Sequence, residues 1–312
     1  MPTVRIATRK SALALWQSNH VKSLLEQQHP GLRAELVPMT TRGDRILDQP
    51  LAEIGGKGLF LKELEHALLE QRADLAVHSL KDVPGELPAG LELAAFLPRA
   101  NPFDALVSRH DYSLVSLPHG ATVGTSSLRR QCQLRAARPD LVVQDLRGNV
   151  DTRLTKLDGG DYDAIILAVA GLDRLGLTTR TGQQLRAPDW LPAPGQGIIA
   201  IESRNDDELA CDLVRPLNDF AAASAAWAER ALSIALDGSC QMPLAALAQS
   251  TNGSLSIQGL LGLADGSRVI RTEVEGLAGE AAQLGRQLAD GLLNLGGDEV
   301  LSQIHAGSDS VT

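Results

Sequence analysis

Residues 74–84 read Asp74-Leu75-Ala76-Val77-His78-Ser79-Leu80-Lys81-Asp82-Val83-Pro84, a short apolar strand that runs straight into a serine, a lysine and an aspartate. A strand apolar on both faces suits the centre of a parallel sheet, and ligands of such sheets sit just beyond the carboxyl ends of the strands. Lys81 and Asp82 stand at that edge, which makes Asp82 the first candidate for chemistry. An isolated Asp82 reads equally well as the start of the turn that Pro84 stiffens. The surrounding chain decides between the two.

Upstream, a strand over residues 4–8 ends at Arg9-Lys10-Ser11, and Ser11 is placed to cap a helix that stops at His29-Pro30-Gly31. A second strand, over 34–40, leads into a stretch from Thr41 to Gly58 that is rich in glycine and charge and lacks periodicity. Such a stretch reads as a lid or binding loop. Its Gly55-Gly56-Lys57-Gly58 cluster lacks the spacing of a P-loop. A helix through Leu64 and Leu68 then returns the chain to Asp74.

Downstream, Pro98-Arg99-Ala100-Asn101-Pro102 breaks both periodicities and reads as a crossing between domains. Pro192-Ala193-Pro194-Gly195-Gln196-Gly197, ahead of an apolar strand at 198–201, reads as the crossing back, so the two together make a hinge. The expected division is one α/β lobe from residues 1–98 and 198–216, a second from 99–197, and a small α+β domain from 217–312. That last domain holds a helix from about Asp219 to Leu236, a hairpin around Ala264-Asp265-Gly266-Ser267 and a helix from Glu280 to Leu295.

Arginines gather at the ends of the strands. The strand at 122–124 opens into Thr125-Ser126-Ser127-Leu128-Arg129-Arg130, which sets hydroxyls and free N–H groups of a helix start beside two guanidinium groups and makes a ready anion site. The strand at 141–146 ends in Arg147 and, within the next helix, Arg153; the strand at 164–170 leads to Arg174. With Arg9, six arginines collect at predicted strand ends on two facing domains, a costly arrangement unless an anion neutralises them. They point to a ligand with several carboxylates or phosphates. As a carboxylate among cations, Asp82 suits an electrostatic partner for a cation better than a general acid.

Composition narrows the partners. The formal charge of -9 and 3% aromatic residues argue against a nucleic-acid binder, which needs a basic face and stacking platforms. No apolar run reaches the length of a membrane span, and a short start at Met1-Pro2-Thr3 leads directly into the first strand, so a soluble cytoplasmic protein is expected. Cys132, Cys211 and Cys240 are odd in number and without His partners at metal spacing, so neither disulfides nor a metal site is expected. Cys132 and Cys211 fall on predicted helices as core residues. Cys240, in the loop Gly238-Ser239-Cys240-Gln241-Met242-Pro243, is the candidate for covalent attachment.

Over essentially its whole length the chain resembles the porphobilinogen deaminase family. The resemblance rests on Arg5-Ile6-Ala7-Thr8-Arg9, Gly55 to Phe60, Ala76 to Pro84, Gly124 to Arg130, Leu146-Arg147-Gly148-Asn149, Glu229-Arg230 and Gly238 to Pro243. It implies two lobes like those of a periplasmic binding protein with a hinge, a small C-terminal α+β domain, and a dipyrromethane cofactor joined by a thioether to Cys240. It implies deamination and head-to-tail joining of four porphobilinogen molecules into a linear tetrapyrrole by a monomeric enzyme. By the same resemblance Asp82 is catalytic. Lys81, Thr125, Ser127, Arg129, Arg130 and Arg153 hold the cofactor, while Arg9, Ser11, Arg147, Arg174, Phe60 and Gln196 face the substrate. Met242 and Glu53 depart from the usual family residues. A non-enzymatic two-lobed binding protein for an organic anion is the rival reading; it explains the arginines and the hinge but leaves Cys240 idle.

Overall fold

The computed structural model describes residues 3–41, 61–237 and 242–309. Residues 42–58 of the expected lid, with Glu53, and also Phe60 and Cys240, lie outside them.

The first sheet has the strand order β2-β1-β3-β10-β4. Strand β1 (Thr3–Arg9) pairs in parallel with β2 (Arg33–Met39) and with β3 (Leu75–Ser79). Strand β10 (Ile199–Arg204) lies antiparallel between β3 and β4 (Leu91–Phe96). The expectation of a purely parallel setting for β3 is thereby corrected. Strand β3 ends at the edge where the chain later re-enters this lobe, so β10 starts at that edge and must run the opposite way.

Helix α1 (Ala12–Gln28) starts at Ser11, whose hydroxyl accepts the Ala14 N–H as the sequence led us to expect. It buries Val21 and Leu25 against Val4, Ile6, Val77 and Ile201. The other face of the sheet takes α2 (Lys62–Leu69), through Leu64 and Leu68 against Ala7 and Ala76.

The second sheet, ordered β7-β6-β8-β5-β9, repeats the plan. Strand β5 (Asp104–Ser108) enters from the first lobe and runs antiparallel to β8 (Ala164–Ala168), while β6 (Thr122–Gly124) is parallel to β8 and to β7 (Val142–Gln144). Strand β9 (Gln183–Leu185) closes the far side. Strands β6, β7 and β8 are followed by α3 (Leu128–Ala137), α4 (Val150–Gly159) and α5 (Val169–Arg174). The strand expected over 164–170 stops at Ala168, because α5 already begins at Val169. After β10 come α6 (Glu208–Val214), carrying Cys211, and α7 (Phe220–Ala235).

The third sheet is an antiparallel meander of β11 (Leu244–Thr251), β12 (Ser254–Gly262) and β13 (Val269–Leu277). Asn252 and Gly253 both take positive φ between β11 and β12, the pairing that a tight two-residue hairpin turn requires. Helix α7 and α8 (Ala281–Leu292) cover one face through Leu232, Leu284 and Leu288, with Met242 buried in the same core. The other face packs Leu247 and Leu260 on Cys132 of α3, and burial pushes that thiol up to about 11. The sequence places the last helix over 280–295; instead the chain kinks at Gly296, with φ of 94°, and continues as α9 (Asp298–Asp309), anchored by the buried Val300.

One carboxylate joins these parts. Glu229 of α7 is fully buried and accepts two bonds from Arg99 in the first crossing, at 2.6 and 3.2 Å, one from the Gly195 N–H in the second, and one from the Ala248 N–H in β11. The two crossings also touch directly, through Arg99 Nε to Gln196 O and Ala100 N to Gly197 O.

Helices α7 and α8 approach so closely at Gly285 that a Cβ there would collide with the Ala228 carbonyl oxygen. Gly285→Ala should therefore destabilise the protein by about 1–3 kcal/mol, the usual cost of overpacking. A urea-unfolding midpoint equal to that of the parent would show that the helices separate freely.

Candidate active site

The end of β3 is fastened from several directions. The Leu80 N–H donates to Ile198 O at 3.0 Å, the Leu80 and Val83 side chains are buried, and Arg230 of α7 donates to Gly85 O at 2.8 Å. The single helical turn Leu80–Asp82 between these anchors presents Lys81 and Asp82 at the sheet edge. Asp82 shares a recess in the first lobe with Arg9, Ser11, Gln17, Leu61 and Ser79. Gln17 escapes the sequence reading. It sits on the inward face of α1, is 2% exposed and donates to Ser79 Oγ at 2.8 Å. A polar residue at an inward helical position is the signal that would have found it.

On the second lobe, the segment before α3 is tied down by its own hydroxyls. Ser126 Oγ accepts the Leu146 N–H at 3.0 Å and donates to Leu146 O, and the buried Thr125 accepts the Ser127 N–H at 3.3 Å. Ser127 occupies the cap position of α3, yet its hydroxyl takes no helix N–H.

Arg129 and Arg130 follow, both buried, and here the sequence expectation needs correction. They do not both wait for a ligand's charge, because Asp104, fully buried at the start of β5, already faces them. Asp104 accepts from Arg129 Nη1 and Arg130 Nη2, each at 2.7 Å, from Trp190 Nε1 at 2.8 Å and from Gln196 Nε2 at 3.0 Å. Burial alone would raise its pKa, but the two guanidinium groups outweigh that and hold it far below the carboxylate range. No motif in the sequence marks Asp104. Gln196 carries the cluster across to the first lobe, for its Oε1 lies 3.4 Å from Lys81 Nζ.

Two carboxylates, Asp82 and Asp104, do not balance the five cations gathered here. Lys81 is drawn down to about 8, by burial first and then by Arg130 and Arg129, with Asp82 and Asp104 offsetting part of the shift. Arg153 is drawn down to about 10 by burial and by Arg130 and Arg147, again with Asp82 opposing. Arg153 Nε donates to Gly148 O at 2.7 Å. Among the described residues, Arg147 Nη1, Arg129 Nε and Arg130 Nε are buried and have no hydrogen-bond partner. Orphaned buried guanidinium N–H groups are expensive unless an acceptor arrives. The cleft therefore fits a ligand carrying several carboxylates, the chemistry of a dipyrromethane with its acid side chains.

Arg174 stands apart from this cluster. Its Nη2 donates to Gly197 O at 2.7 Å, and burial draws its pKa down to about 10. Mutual electrostatics thus groups Lys81, Asp82, Arg129, Arg130, Arg147 and Arg153 in one cluster, with Gln196 beside Lys81, while Thr125 and Ser127 stand on the segment that leads into α3. Arg9 and Ser11 line its first-lobe recess, and Arg174 lies beside the second crossing.

Comparison with known proteins gives a consistent result. The chain matches the family model described as "Porphobilinogen deaminase, dipyromethane cofactor binding domain" over residues 4–212 and "Porphobilinogen deaminase, C-terminal domain" over residues 223–294. Proteins named porphobilinogen deaminase from two strains of Xanthomonas campestris pv. campestris are each 57% identical over 304 residues, covering 97% of this chain and 100% of the relative. Among solved structures, the periplasmic VFT2 domain of Bordetella pertussis BvgS is 18% identical over 69% of this chain and 86% of that one, with a TM-score of 0.39. The ligand-binding component of an ABC-type import system from Staphylococcus aureus is 15% identical over 75% of this chain and 74% of that one, with a TM-score of 0.40.

Asp104→Asn keeps the side chain's size but leaves two buried guanidinium groups without a counter-charge. Breaking one buried ion pair typically costs about 3–5 kcal/mol, and a loss of at least that order is expected in urea unfolding. The pH dependence has a fixed sign. A carboxyl held below its unfolded pKa of about 3.9 contributes stability that is complete above that value and is lost as pH falls through the lower, folded one. The parent should therefore lose more stability than Asp104→Asn between about pH 6 and about pH 3; equal losses would show that Asp104 is not held ionised by the arginines.

Proposed function

Since the chain belongs to the porphobilinogen deaminase family, we propose that Asp82 is its catalytic carboxylate and Cys240 the point at which the dipyrromethane cofactor is attached through a thioether. The family activity is that of a transferase, hydroxymethylbilane synthase, which releases ammonia and joins four porphobilinogen molecules head to tail in tetrapyrrole biosynthesis. The observation that carries the assignment of Asp82 is its position, in a recess with Arg9 and Ser11 of one lobe and within electrostatic reach of Arg153 of the other.

Each porphobilinogen brings an acetate and a propionate, so the growing chain is a polyanion. The buried N–H groups of Arg129, Arg130 and Arg147, which have no partner among the described residues, supply donors for those carboxylates. In this reading Lys81, Thr125, Ser127, Arg129, Arg130 and Arg153 hold the cofactor. Arg9, Ser11, Arg147, Arg174, Gln196 and Phe60 face the incoming substrate. When bound, the dipyrromethane supplies the nucleophilic pyrrole carbon that starts the chain.

Asp82 acts on the substrate. As the aminomethyl C–N bond of porphobilinogen breaks, its electron pair leaves with ammonia and positive charge spreads over the pyrrole. A carboxylate accepting the ring N–H is placed to stabilise that charge. The new carbon–carbon bond then forms, and the attacked carbon's partner loses its proton. Lys81 and the arginines hold the acid side chains of the two rings so that the reacting carbons stay close.

The division into residues 1–98 with 198–216, 99–197 and 217–312 is our reading of the domains. It agrees with the three sheets drawing their strands from residues 3–96 with 199–204, 104–185 and 244–277. The net charge of -9 opposes contact with nucleic acid, and the thiols of Cys132 and Cys211, both raised chiefly by burial, suit a reducing compartment. We infer a monomeric cytoplasmic enzyme that does not act at a membrane. No helix among the described residues is long and apolar enough to cross one.

Intact-protein mass tests the attachment. The purified enzyme should exceed its sequence mass by two deaminated porphobilinogen units, all lost in Cys240→Ser; an unmodified mass in active protein sinks the assignment.

Asp82 is tested separately, in enzyme already loaded with cofactor. Asp82→Asn retains a hydrogen-bond acceptor without charge, and losing one preorganised electrostatic partner typically costs about a hundred- to a thousandfold in rate. Asp82→Glu, which keeps the charge but misplaces it, should retain more activity than Asn. Turnover of loaded Asp82→Asn within about tenfold of the parent would return Asp82 to the role of a turn residue.

A further inference from the structure

Outside the cleft cluster, one stack of side chains joins the two lobes. Trp16, on α1 of the first lobe, lies with its ring 5.1 Å from that of His20, one helical turn on, the planes 23° apart. Arg174, at the end of α5 in the second lobe, places its guanidinium carbon 5.8 Å from the centre of the Trp16 ring. That is within the range of a cation–π contact. The same guanidinium donates to Gly197 O in the crossing between lobes.

Trp16 is 38% exposed, too open for a core residue. The surrounding chemistry favours the pair. His20 is held below its ordinary pKa, by burial and then by the charge of Arg174, so near neutral pH an uncharged imidazole backs the ring. The Arg174 side chain is long and flexible, and fixing it before a ligand arrives removes part of the ordering cost that binding would otherwise carry.

We propose that Trp16 is a positioning residue for the substrate, seating the Arg174 guanidinium against the first lobe so that it meets a porphobilinogen carboxylate already in place. The proposal rests on the reading of Arg174 as a substrate-side residue. Trp16 itself touches no reacting atom. It acts through Arg174, and its effect is on substrate binding rather than on the chemical step.

The test uses the full chain carrying its cofactor, with Trp16→Leu, which removes the ring face, Trp16→Phe, which keeps a smaller one, Arg174→Leu, and the double variant Trp16→Leu with Arg174→Leu. In Trp16→Leu, KM for porphobilinogen should rise about three- to tenfold while kcat stays within about twofold, the scale of one half-exposed cation–π contact. Trp16→Phe should recover most of the loss, and Trp16→Leu should add nothing in the Arg174→Leu background. The fluorescence of Trp16, taken as the difference between parent and Trp16→Phe, should also change on Arg174→Leu without substrate. A parental KM in Trp16→Leu, or losses that add independently to those of Arg174→Leu, overturns the proposal. A parental KM in Arg174→Leu overturns it through its premise, and the fluorescence difference then separates an absent stack from a stack that holds no substrate clamp.

Discussion

The cleft depends on the buried carboxylate of Asp104. Two adjacent arginines on the first turn of one helix repel each other, and burying both without a counter-ion would be prohibitive. Asp104 takes one Nη from each, and the Trp190 indole and Gln196 amide complete its shell. Because both oxygens are engaged on the Nη side, each guanidinium keeps its Nε hydrogen unused. The carboxylate therefore does two things. It makes the burial of two cations tolerable, and it orients them so that donors remain for a ligand. Gln196 extends the same network to Lys81, next to the proposed catalytic Asp82, so the geometry of one lobe is referred to the other through three side chains.

That linkage follows from how the chain threads the two lobes. Strands β5 and β10 are the ones that have just crossed, and each begins at the cleft edge and runs against the strands that end there. The crossings consequently lie beside the site. Glu229 ties both of them to the third sheet through Arg99, Gly195 and Ala248, and its neighbour Arg230 reaches the backbone just past Asp82. Helix α7 thus contacts the hinge and the turn bearing Asp82, and the sequence after it leads to Cys240. A two-lobed binding protein would account for the hinge and the arginines. The matches to both domain models of a deaminase family, together spanning most of the chain, are what that alternative leaves unexplained.

Much of this was legible in the sequence because local physics decided it. Ser11 before an apolar period, prolines at both crossings, and hydroxyls ahead of Arg129 and Arg130 each announce a structure that needs few long-range contacts. What stayed hidden was long-range. Asp104 is a single acid after Pro102, and only the fold reveals that it meets residues 25, 26, 86 and 92 positions away. Gln17 hid in an apolar helical period, and the antiparallel placement of β10 follows from threading rather than from its composition. Helix α9 was lost because Gly296 and Gly297 interrupt the pattern even though Val300 resumes the core. The role proposed for Phe60 rests on family resemblance alone, whereas Cys240 was marked by its loop as a candidate for covalent attachment and only the thioether-linked dipyrromethane proposed there rests on the resemblance.

The charge imbalance of the cleft connects stability with ligand binding. Lys81 at about 8 means that the folded chain binds this proton less tightly than the unfolded one, whose lysine titrates near its ordinary value of 10.5. Across that window the unfolded state carries more of the proton, so through this group the stability of the ligand-free protein increases as pH rises. A ligand carboxylate beside Lys81 and Arg153 opposes the repulsion from Arg129, Arg130 and Arg147 and moves both groups back towards their ordinary values. The cations that weaken the ligand-free fold are thus the ones that hold a polyanion, and the energy of assembling them is recovered only when it binds. A cofactor fixed permanently in such a cleft contributes to the fold as well as to the reaction. On the proposed reading Asp82 gains from the same balance: once ligand carboxylates answer the arginines, its own charge is left to face the cation that forms when ammonia departs.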